Sequence, residues 1–599
     1  MKRAFALLLC LLTALPIFAG CAGGNKEEDD GAIIASYIAS ELYDYDPSYG
    51  FVDDAQMKML GLIFEGLTRI NAKGKMEKAI AKSWKYFKDP LKDEYKLQIT
   101  LKDTKWNDGR AVTAEDFVFA WKRILSSDFA SSASALLFDI KNARAAKQGE
   151  ASIDDVGLYA EDIRLLEITF ETDIDYEDFL MKCASPALVP LREDIVSRNT
   201  DYWSKKYTSL VSNGPFSIKG LDYDEGKLNV ERNPYYFRDT EKDSLKKTVN
   251  PFRFKVEFKR DPEQAVSGVT MSPSDLNTLL DDFLNGKLFY LGDLPLDKRA
   301  EYEKKAVVTD IASAHTYFFN LDNPLFEDAR VRKALSLALD REEIARILTF
   351  AEPATGVITP KVFEGKSRKD FRDAGGKLIE TTANMQEAQK LLNEAGVKSG
   401  SFTITYKLNE ADKAVAEYVK GVWESLGFTV TLRPLLSELI TVIDRITKEP
   451  DPYYLDSFMI AFRSRDFDVI AIDHNMLSTD AFAVLASFSK EFSGMGIDME
   501  SGEYELIPHI TGFDNDEYTA IIEEAFAEKD INKRAEILHR AEEFLVDEMP
   551  IIPLVFNKDF YLISKELKNV KSTWFGYRQL EKAKLKDYEK YIETDAPVE

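Results

Sequence analysis

Cysteine and histidine are scarce in this 599-residue chain, with three of the one and four of the other. Cys10 lies within an apolar N-terminal stretch and Cys21 just past it, so Cys183 stands alone in the body and cannot close an internal disulfide. Its setting, Phe179-Leu-Met-Lys-Cys-Ala-Ser, reads as core rather than as a nucleophile. Positive charge is also in deficit: 78 Lys and Arg against 103 Asp and Glu leave a net charge of −25. That excess repels phosphate, which argues against nucleic acid, and it leaves no polybasic patch for a membrane surface. Beyond the N-terminus no run is long and apolar enough to span a bilayer. Catalytic patterns are missing as well: no Gly-x-Ser-x-Gly elbow, no His-Glu-x-x-His helix, no phosphate loop ending in Gly-Lys-Ser/Thr. Gly494-Met-Gly496 lacks a third glycine, and His315, His474, His509 and His539 are scattered singly, without metal-ligand spacing. Paired carboxylates carry little information in so acidic a chain. These absences point to a binder without metal or cofactor, not to an enzyme.

What is present begins at the N-terminus. Lys2 and Arg3 precede an apolar core from Ala4 to Phe18, and Phe18-Ala19-Gly20 leads into Cys21. This is the anatomy of a secretory signal, too short for a membrane span. The cysteine after Ala-Gly resembles a bacterial lipobox, with Phe18 where Leu is usual. Cleavage before Cys21 and lipidation of its sulfur are expected, and several acyl chains at about 0.8 kcal/mol per buried methylene hold a protein on a membrane. Residues 21–32 then read as a flexible acidic tether.

From Ile33 onward strands and helices alternate, without internal repeats. Lys96 to Lys102 alternates polar and apolar residues, and so do Phe252, Phe254, Val256 and Phe258 with their neighbours, which predicts half-buried strands. Thr113 followed by Asp116 predicts a capped helix through Phe117, Ala120 and Trp121. Ser401–Tyr406, Glu410–Leu426 and Phe428–Leu432 form a strand–helix–strand unit with Gly427 as the stop, so at least one lobe is α/β with parallel pairing. Phe467 to Asp473 predicts a buried strand whose carboxyl end, where ligands gather in open α/β sheets, carries Asp473, His474 and Asn475. Lys533–Leu545 is expected as a helix, and Met549 to Phe556 as a proline-punctuated edge strand.

Several blocks resemble the oligopeptide/dipeptide solute-binding proteins of ABC transporters, the extracellular solute-binding protein family 5. They are Ile63-Phe-Glu-Gly-Leu67, Ala79-Ile-Ala-Lys-Ser-Trp84, and Lys105-Trp-Asn-Asp-Gly109 with Val112-Thr-Ala-Glu-Asp-Phe117 and Trp121-Lys-Arg123. Ser212-Asn-Gly-Pro-Phe216, Asn233-Pro-Tyr-Tyr236, Phe319-Asn320 and Phe326 to Leu335 follow in order, then Ala338-Leu-Asp-Arg341, Ala388 to Gly396 and Pro550-Ile-Ile-Pro553. Physically these blocks suit scaffold: Trp106 to Gly109 is a tight turn, and Arg330 and Arg332 suggest one solvated and one anchoring arginine. The resemblance implies an α/β, two-lobed periplasmic-binding-protein-like (class II type) fold with an additional domain inserted in the first lobe. Lobe I would comprise 33–70, 190–311 and 550–599, the insert 71–189, and lobe II 312–549. It further implies a lipid-anchored monomer that closes on an extended oligopeptide and delivers it to ABC permease subunits in the membrane.

Peptide-binding relatives often carry Gly-Trp-x-Ala-Asp-Tyr after the strand that here is Phe467 to Ile472, and its aspartate takes the peptide's amino terminus. This chain reads Asp473-His-Asn-Met-Leu-Ser478, with Leu477 in place of that aspartate. Asp473 or Asp480 is the replacement, or the cleft needs no free amino terminus. Candidate ligand-binding residues are therefore Asp473, His474, Asn475 and Asp480, with Phe51, Val52 and Asp53, which lie where relatives offer main-chain groups. Ser487 to Ile510 reads as an enlarged loop nearby. Alternatives on the same fold are a nickel complex, haem or oligosaccharide as cargo, or a signalling-peptide receptor. A lipid-anchored envelope hydrolase is the rival of another class.

Overall fold

The computed structural model describes residues 31–591 except 41, 50–53, 130, 199, 201, 223–225, 238–244, 260–273, 444–449, 494, 498–503 and 507–508. The expectations for Cys21, Phe51, Val52 and Asp53 lie outside the described residues. Eleven strands build the main sheet. In chain order they are β1 (Ile33–Tyr37), β2 (Phe216–Asp222), β3 (Lys227–Arg232), β4 (Arg253–Glu257), β5 (Tyr290–Leu291) and β6 (Val307–Phe319), followed by β7 (Ala351–Pro353), β8 (Gly400–Lys407), β9 (Phe428–Leu435), β10 (Val469–Asn475) and β11 (Ile551–Ile563). They lie side by side as β9-β8-β10-β6-β11-β5-β1-β4-β3-β2, with β7 pairing onto β11.

Two 13-residue antiparallel strands, β6 and β11, form the middle of this sheet. The start of β6, Val307–Asp310, pairs with Lys558–Tyr561 beside β5, whereas its end, Ala314–Phe318, pairs with the beginning of β11 beside β10. A register break between Asp310 and Ala314 separates these two stretches. The same pair of strands therefore joins one half of the sheet to the other.

Stretch 549–556 is thus not the edge strand expected from its prolines; it is central. Pro550 precedes the strand, and Pro553 faces Thr316 where the ladder slips between His315 and Thr316. A bulge removes the regular demand for a ladder N–H, so it accommodates the residue that has none.

A separate four-stranded antiparallel sheet lies within 71–189, in the order Ala81–Asp89, Glu94–Leu101, Leu165–Phe170, Leu158–Asp162. Helix α1 (Ala114–Leu125) packs on it, and its capping box forms as expected: Thr113 Oγ1 accepts from Asp116 N, and Asp116 Oδ2 accepts from Thr113 N at 2.8 Å. Phe117, Trp121 and Ile124 are wholly buried on its inner face, each burial being worth about 1.5–3 kcal/mol. Trp106 to Gly109 is the expected turn, with Gly109 at φ +90° and its N–H donating to Trp106 O. Cys183 is buried, and burial pushes its thiol up, as befits a core residue.

In the other half, α2 (Ala329–Leu337) and α3 (Glu410–Ser425) cover the β8–β10 side of the sheet. Arg332 of α2 is the anchor, donating to the carbonyls of Phe326, Glu327 and Glu548, while half-exposed Arg330 pairs with Asp328. Helix α3 crosses between parallel β8 and β9, and Gly427 at φ +99° ends the crossover. Trp423 of α3 is buried and donates to Leu335 O at 3.0 Å, which ties the two helices together. Helix α4 (Ile531–Glu548) leads into β11. Within the expected loop 487–510, Met495–Ile497 pairs with Tyr504–Leu506 as a short hairpin. No described helix is long and apolar enough to cross a membrane.

Candidate functional site

The carboxyl ends of parallel β8 and β10 lie side by side, which is where open α/β sheets leave a crevice. From β8 the chain passes through Leu408 and Asn409 into α3, and the first turn of that helix lines the same space as the end of β10. A cleft of about 690 Å³ opens here. Tyr37, Tyr43, Lys58 and Asp293 line it from the β1–β5 half, His315, Asp412 and Asp473 from the other, and Asn557 from β11.

Three strands converge on Asp473. His315 of β6 is its direct cross-strand partner, so both side chains project from the same face. His315 Nδ1 lies 3.3 Å from Asp473 Oδ1, and Asn557 Nδ2 of β11 donates to that oxygen at 2.9 Å and to Ser313 Oγ at 3.0 Å. Asp473 remains about one-third exposed to the cleft, whereas the His315 side chain is only 5 % exposed. Asp412, in the first turn of α3, completes the group; its own N–H caps onto Asn409 at 2.8 Å.

Electrostatics couple these residues. Burial pushes the Asp412 carboxyl up to about 6, and the neighbouring Asp473 charge adds to this against the opposing pull of His315. For His315, burial disfavours the cation, but the Asp473 hydrogen bond and the charges of Asp412 and Asp473 outweigh it and raise the ring. Elsewhere in the wall several charges are matched. Asp559 sits between Arg578 and Lys58, the latter at 3.3 Å; burial would raise its carboxyl, yet these cations hold it low. Arg299 pairs with Asp293 at 3.0 Å, and Lys558 with Glu352 and Asp310.

The other sequence candidates go elsewhere. His474 alternates to the opposite face of β10, against Phe318 and Phe488 at ring separations of 5.3 and 6.4 Å, and burial pushes its ring down to about 4. It is a neutral ring in aromatic packing. Asn475 is buried at the strand end, opposite Ser313. Leu477 is buried as well and offers no polar group. Asp480 faces a second cavity of about 720 Å³, where it pairs with Arg534 at 3.2 Å beside Asp139, Asp178 and Lys182. The structure thus brings Asp473 to the cleft and separates it from His474 and Asp480.

His315 and Asp412 are among the cleft residues that escaped the sequence reading as site candidates. A signal for Asp412 did exist: it occupies the first turn of the helix that follows a parallel strand, next to the strand end already singled out. His315 had none, because its partner lies 158 residues away.

The chain matches the model for bacterial extracellular solute-binding proteins, family 5, over residues 75–495. It is 28% identical over 553 residues to the dipeptide-binding protein DppE of Bacillus subtilis (strain 168), covering 90% of each chain. It is 27% identical over 594 residues to the oligopeptide-binding protein OppA of the same organism, covering 95% of this chain and 97% of that one. The crystal structure of an oligopeptide ABC transporter substrate-binding domain from Bacillus anthracis str. Ames superposes with a TM-score of 0.74 at 23% identity, over 93% of this chain and all of that one. The fold is accordingly the two-lobed periplasmic-binding-protein-like one. With a matched model over most of its length, the chain belongs to the bacterial extracellular solute-binding proteins of family 5.

Proposed function

We propose that this protein is the capture component of an ABC importer: it takes an oligopeptide into the cleft between its lobes and hands it, chemically unaltered, to the permease in the membrane. Lipid on Cys21 tethers it, as a monomer, to the outer face of the cytoplasmic membrane. Lobe I comprises 33–70, 190–311 and 550–599, with 71–189 inserted, and lobe II 312–549. The observation that carries this reading is the cleft at the carboxyl ends of β8 and β10, with walls drawn from both halves of a sheet joined through β6 and β11. The relatives named above as dipeptide- and oligopeptide-binding supply the cargo class. Strand edges at such a cleft pair with the main chain of an extended peptide, so affinity comes from groups all peptides share. Micromolar binding, about −8 kcal/mol, suffices for capture. In place of the aspartate that Leu477 lacks, Asp473 serves as the anchor.

Thermal shift against pooled di- to octapeptides tests this. A cargo peptide at a hundred times its Kd adds about 2.7 kcal/mol of stability. Absence of stabilisation by every pool overturns the peptide assignment. Lipid attachment is read separately, by mass spectrometry of the N-terminal fragment from membranes and from a Cys21→Ala variant.

A further inference from the structure

We infer that the edge hairpin of the inserted sheet, Ala81–Asp89 with Glu94–Leu101, docks the protein onto anionic headgroups of the membrane that holds its tether. This rests on the proposed tether at Cys21 and not on the cargo. Local charge runs against the whole: residues 71–105 carry ten Lys against five Asp and Glu, in a chain of net charge −25. The expectation of no polybasic patch fails for this segment. Ala81–Asp89 is the outermost strand of its sheet, and no described strand pairs with its free edge. All five acids of the segment are engaged. Glu77 accepts from Asn71 at 2.9 Å, and Asp89 from the N–H groups of Leu91 and Lys92. Asp93 pairs with Lys88 at 2.6 Å, Glu94 with Lys141 at 2.7 Å and Asp103 with Arg164 at 3.3 Å. Lys78, Lys82, Lys85 and Lys92, by contrast, are exposed and form no ion pair among the described residues.

The second observation is independent of charge. Leu91, at the hairpin tip, is 94 % exposed, more than any other large apolar side chain among the described residues. Its presentation is fixed, because Asp89 Oδ1 accepts from Leu91 N at 2.9 Å and closes the turn. Half-buried Trp84, Phe87 and Tyr95 follow along the hairpin, with Lys78, Lys85 and Lys88 over their rings at 4.7, 4.8 and 5.2 Å. Lysines on an edge strand also discourage pairing with another chain, a purpose that an exposed leucine does not serve. Lysines interleaved with aromatic rings, and one projecting leucine, suit a bilayer interface, where rings sit among headgroups and Leu91 reaches the acyl boundary.

The place where the tether meets the fold selects the membrane over a soluble polyanion. Gly31 packs on Asn250 and Phe252, and Phe252 O accepts from Arg232 N at 2.8 Å. Just past Arg232, the rings of Tyr235 and Phe237 lie under Lys105 and Lys102, at 5.6 and 4.9 Å. Lys102 in turn donates to Lys78 O at 3.4 Å, at the start of the basic edge. Ten peptide units span Cys21 to Gly31, a reach of at most about 35 Å. Lipid on Cys21 therefore keeps this face near the bilayer at high effective concentration, and a weak contact suffices. The acidic remainder does not prevent it, because charges more than about 10 Å from the headgroups are largely screened at physiological salt. A soluble polyanion offers nothing to Leu91.

Co-sedimentation with vesicles tests the docking face. The mature chain from residue 21 carries Cys21→Ala, so that no acyl chain contributes, and the vesicles are phosphatidylcholine alone or with about one-third phosphatidylglycerol. Partition into the anionic vesicles is expected to be at least about tenfold stronger, and to fall as salt rises. Lys82→Glu with Lys85→Glu should lose about tenfold and Leu91→Ser about threefold, whereas Lys413→Glu with Lys420→Glu, the same charge change on α3, should lose less than about twofold. Unliganded melting temperatures show that the variants fold. Equal partition into both kinds of vesicle, or equal losses in the hairpin and α3 variants, overturns the docking face. Tighter binding to soluble polyphosphate than to vesicles of equal phosphate content, indifferent to Leu91→Ser, overturns the membrane as the partner. An unmodified Cys21 in native membranes overturns the tether, while hairpin-dependent vesicle binding by the Cys21→Ala chain still supports the docking face.

Discussion

Among the described residues, two of the cavities have nearly equal volume, about 690 Å³ at Asp473 and about 720 Å³ at Asp480. Both are lined by carboxylates and cations drawn from distant parts of the chain, and they differ in how those charges are used. Around Asp480 each of three carboxylates has a cation at hand: Lys182 bridges Asp139 at 2.8 Å and Asp178 at 3.4 Å, and Arg534 holds Asp480. Burial would raise the Asp139 carboxyl, but Lys182 keeps it low. Around Asp473, by contrast, a carboxylate and a buried imidazole nitrogen are left over. A closed network works as a joint between 71–189 and the helices packed against it, because separating its members strands charge in a poor solvent. An open one is suited to a guest.

The largest way to break this comparison is Arg534→Ala, which leaves Asp480 beside Asp139 and Asp178 without its cation. The expected cost is about 3 kcal/mol in urea unfolding, by the usual penalty for an orphaned buried charge. An unchanged midpoint would make the network ornamental. Next comes Asp473→Asn, expected to weaken the tightest-binding peptide about tenfold, roughly 1.4 kcal/mol, with little change in the unliganded melting temperature. Unchanged affinity removes Asp473 from the site.

Third comes the pH effect at Asp412. Its carboxyl is raised in the folded protein, so the folded state holds a proton that the unfolded chain has released between the ordinary carboxyl range and about pH 6. Stability relative to Asp412→Asn therefore falls as pH rises through that window. Denaturation curves of the two proteins at about pH 4 and about pH 7 read it directly. The smallest expected effect is on binding in Asp480→Asn: some stability is lost with the Arg534 pair, while peptide affinity stays within about twofold. A tenfold loss there would erase the distinction between the cavities.

Local pattern carried much of this. Thr113 and Asp116 announced their helix because both halves of a capping box lie three residues apart. The strand–helix–strand unit from Gly400 to Leu435 was legible for a similar reason, since period-two and helical spacing are local, and a glycine ended the helix. Met549 to Phe556 misled, because proline marks either an edge or a bulge, and only the partner strand distinguishes them. At the site, Asp473 was readable from its place at a strand end, whereas His474, its neighbour, shared that signal and faces the other way. Side-chain alternation along β10 divides them, and the side taken by the cleft depends on which face α3 covers.

The sequence alone determined the acidic and disulfide-poor body, the α/β rhythm and the scaffold turns, all read from composition or from residues close together in the chain. Tertiary structure alone decided that His315, Asp412, Asp473 and Asn557 meet, and that Asp480 closes on Arg534 instead. Strand order and register, not sequence distance, set which charges become neighbours. Their energies depend on burial and on partners that arrive from a hundred or more residues away.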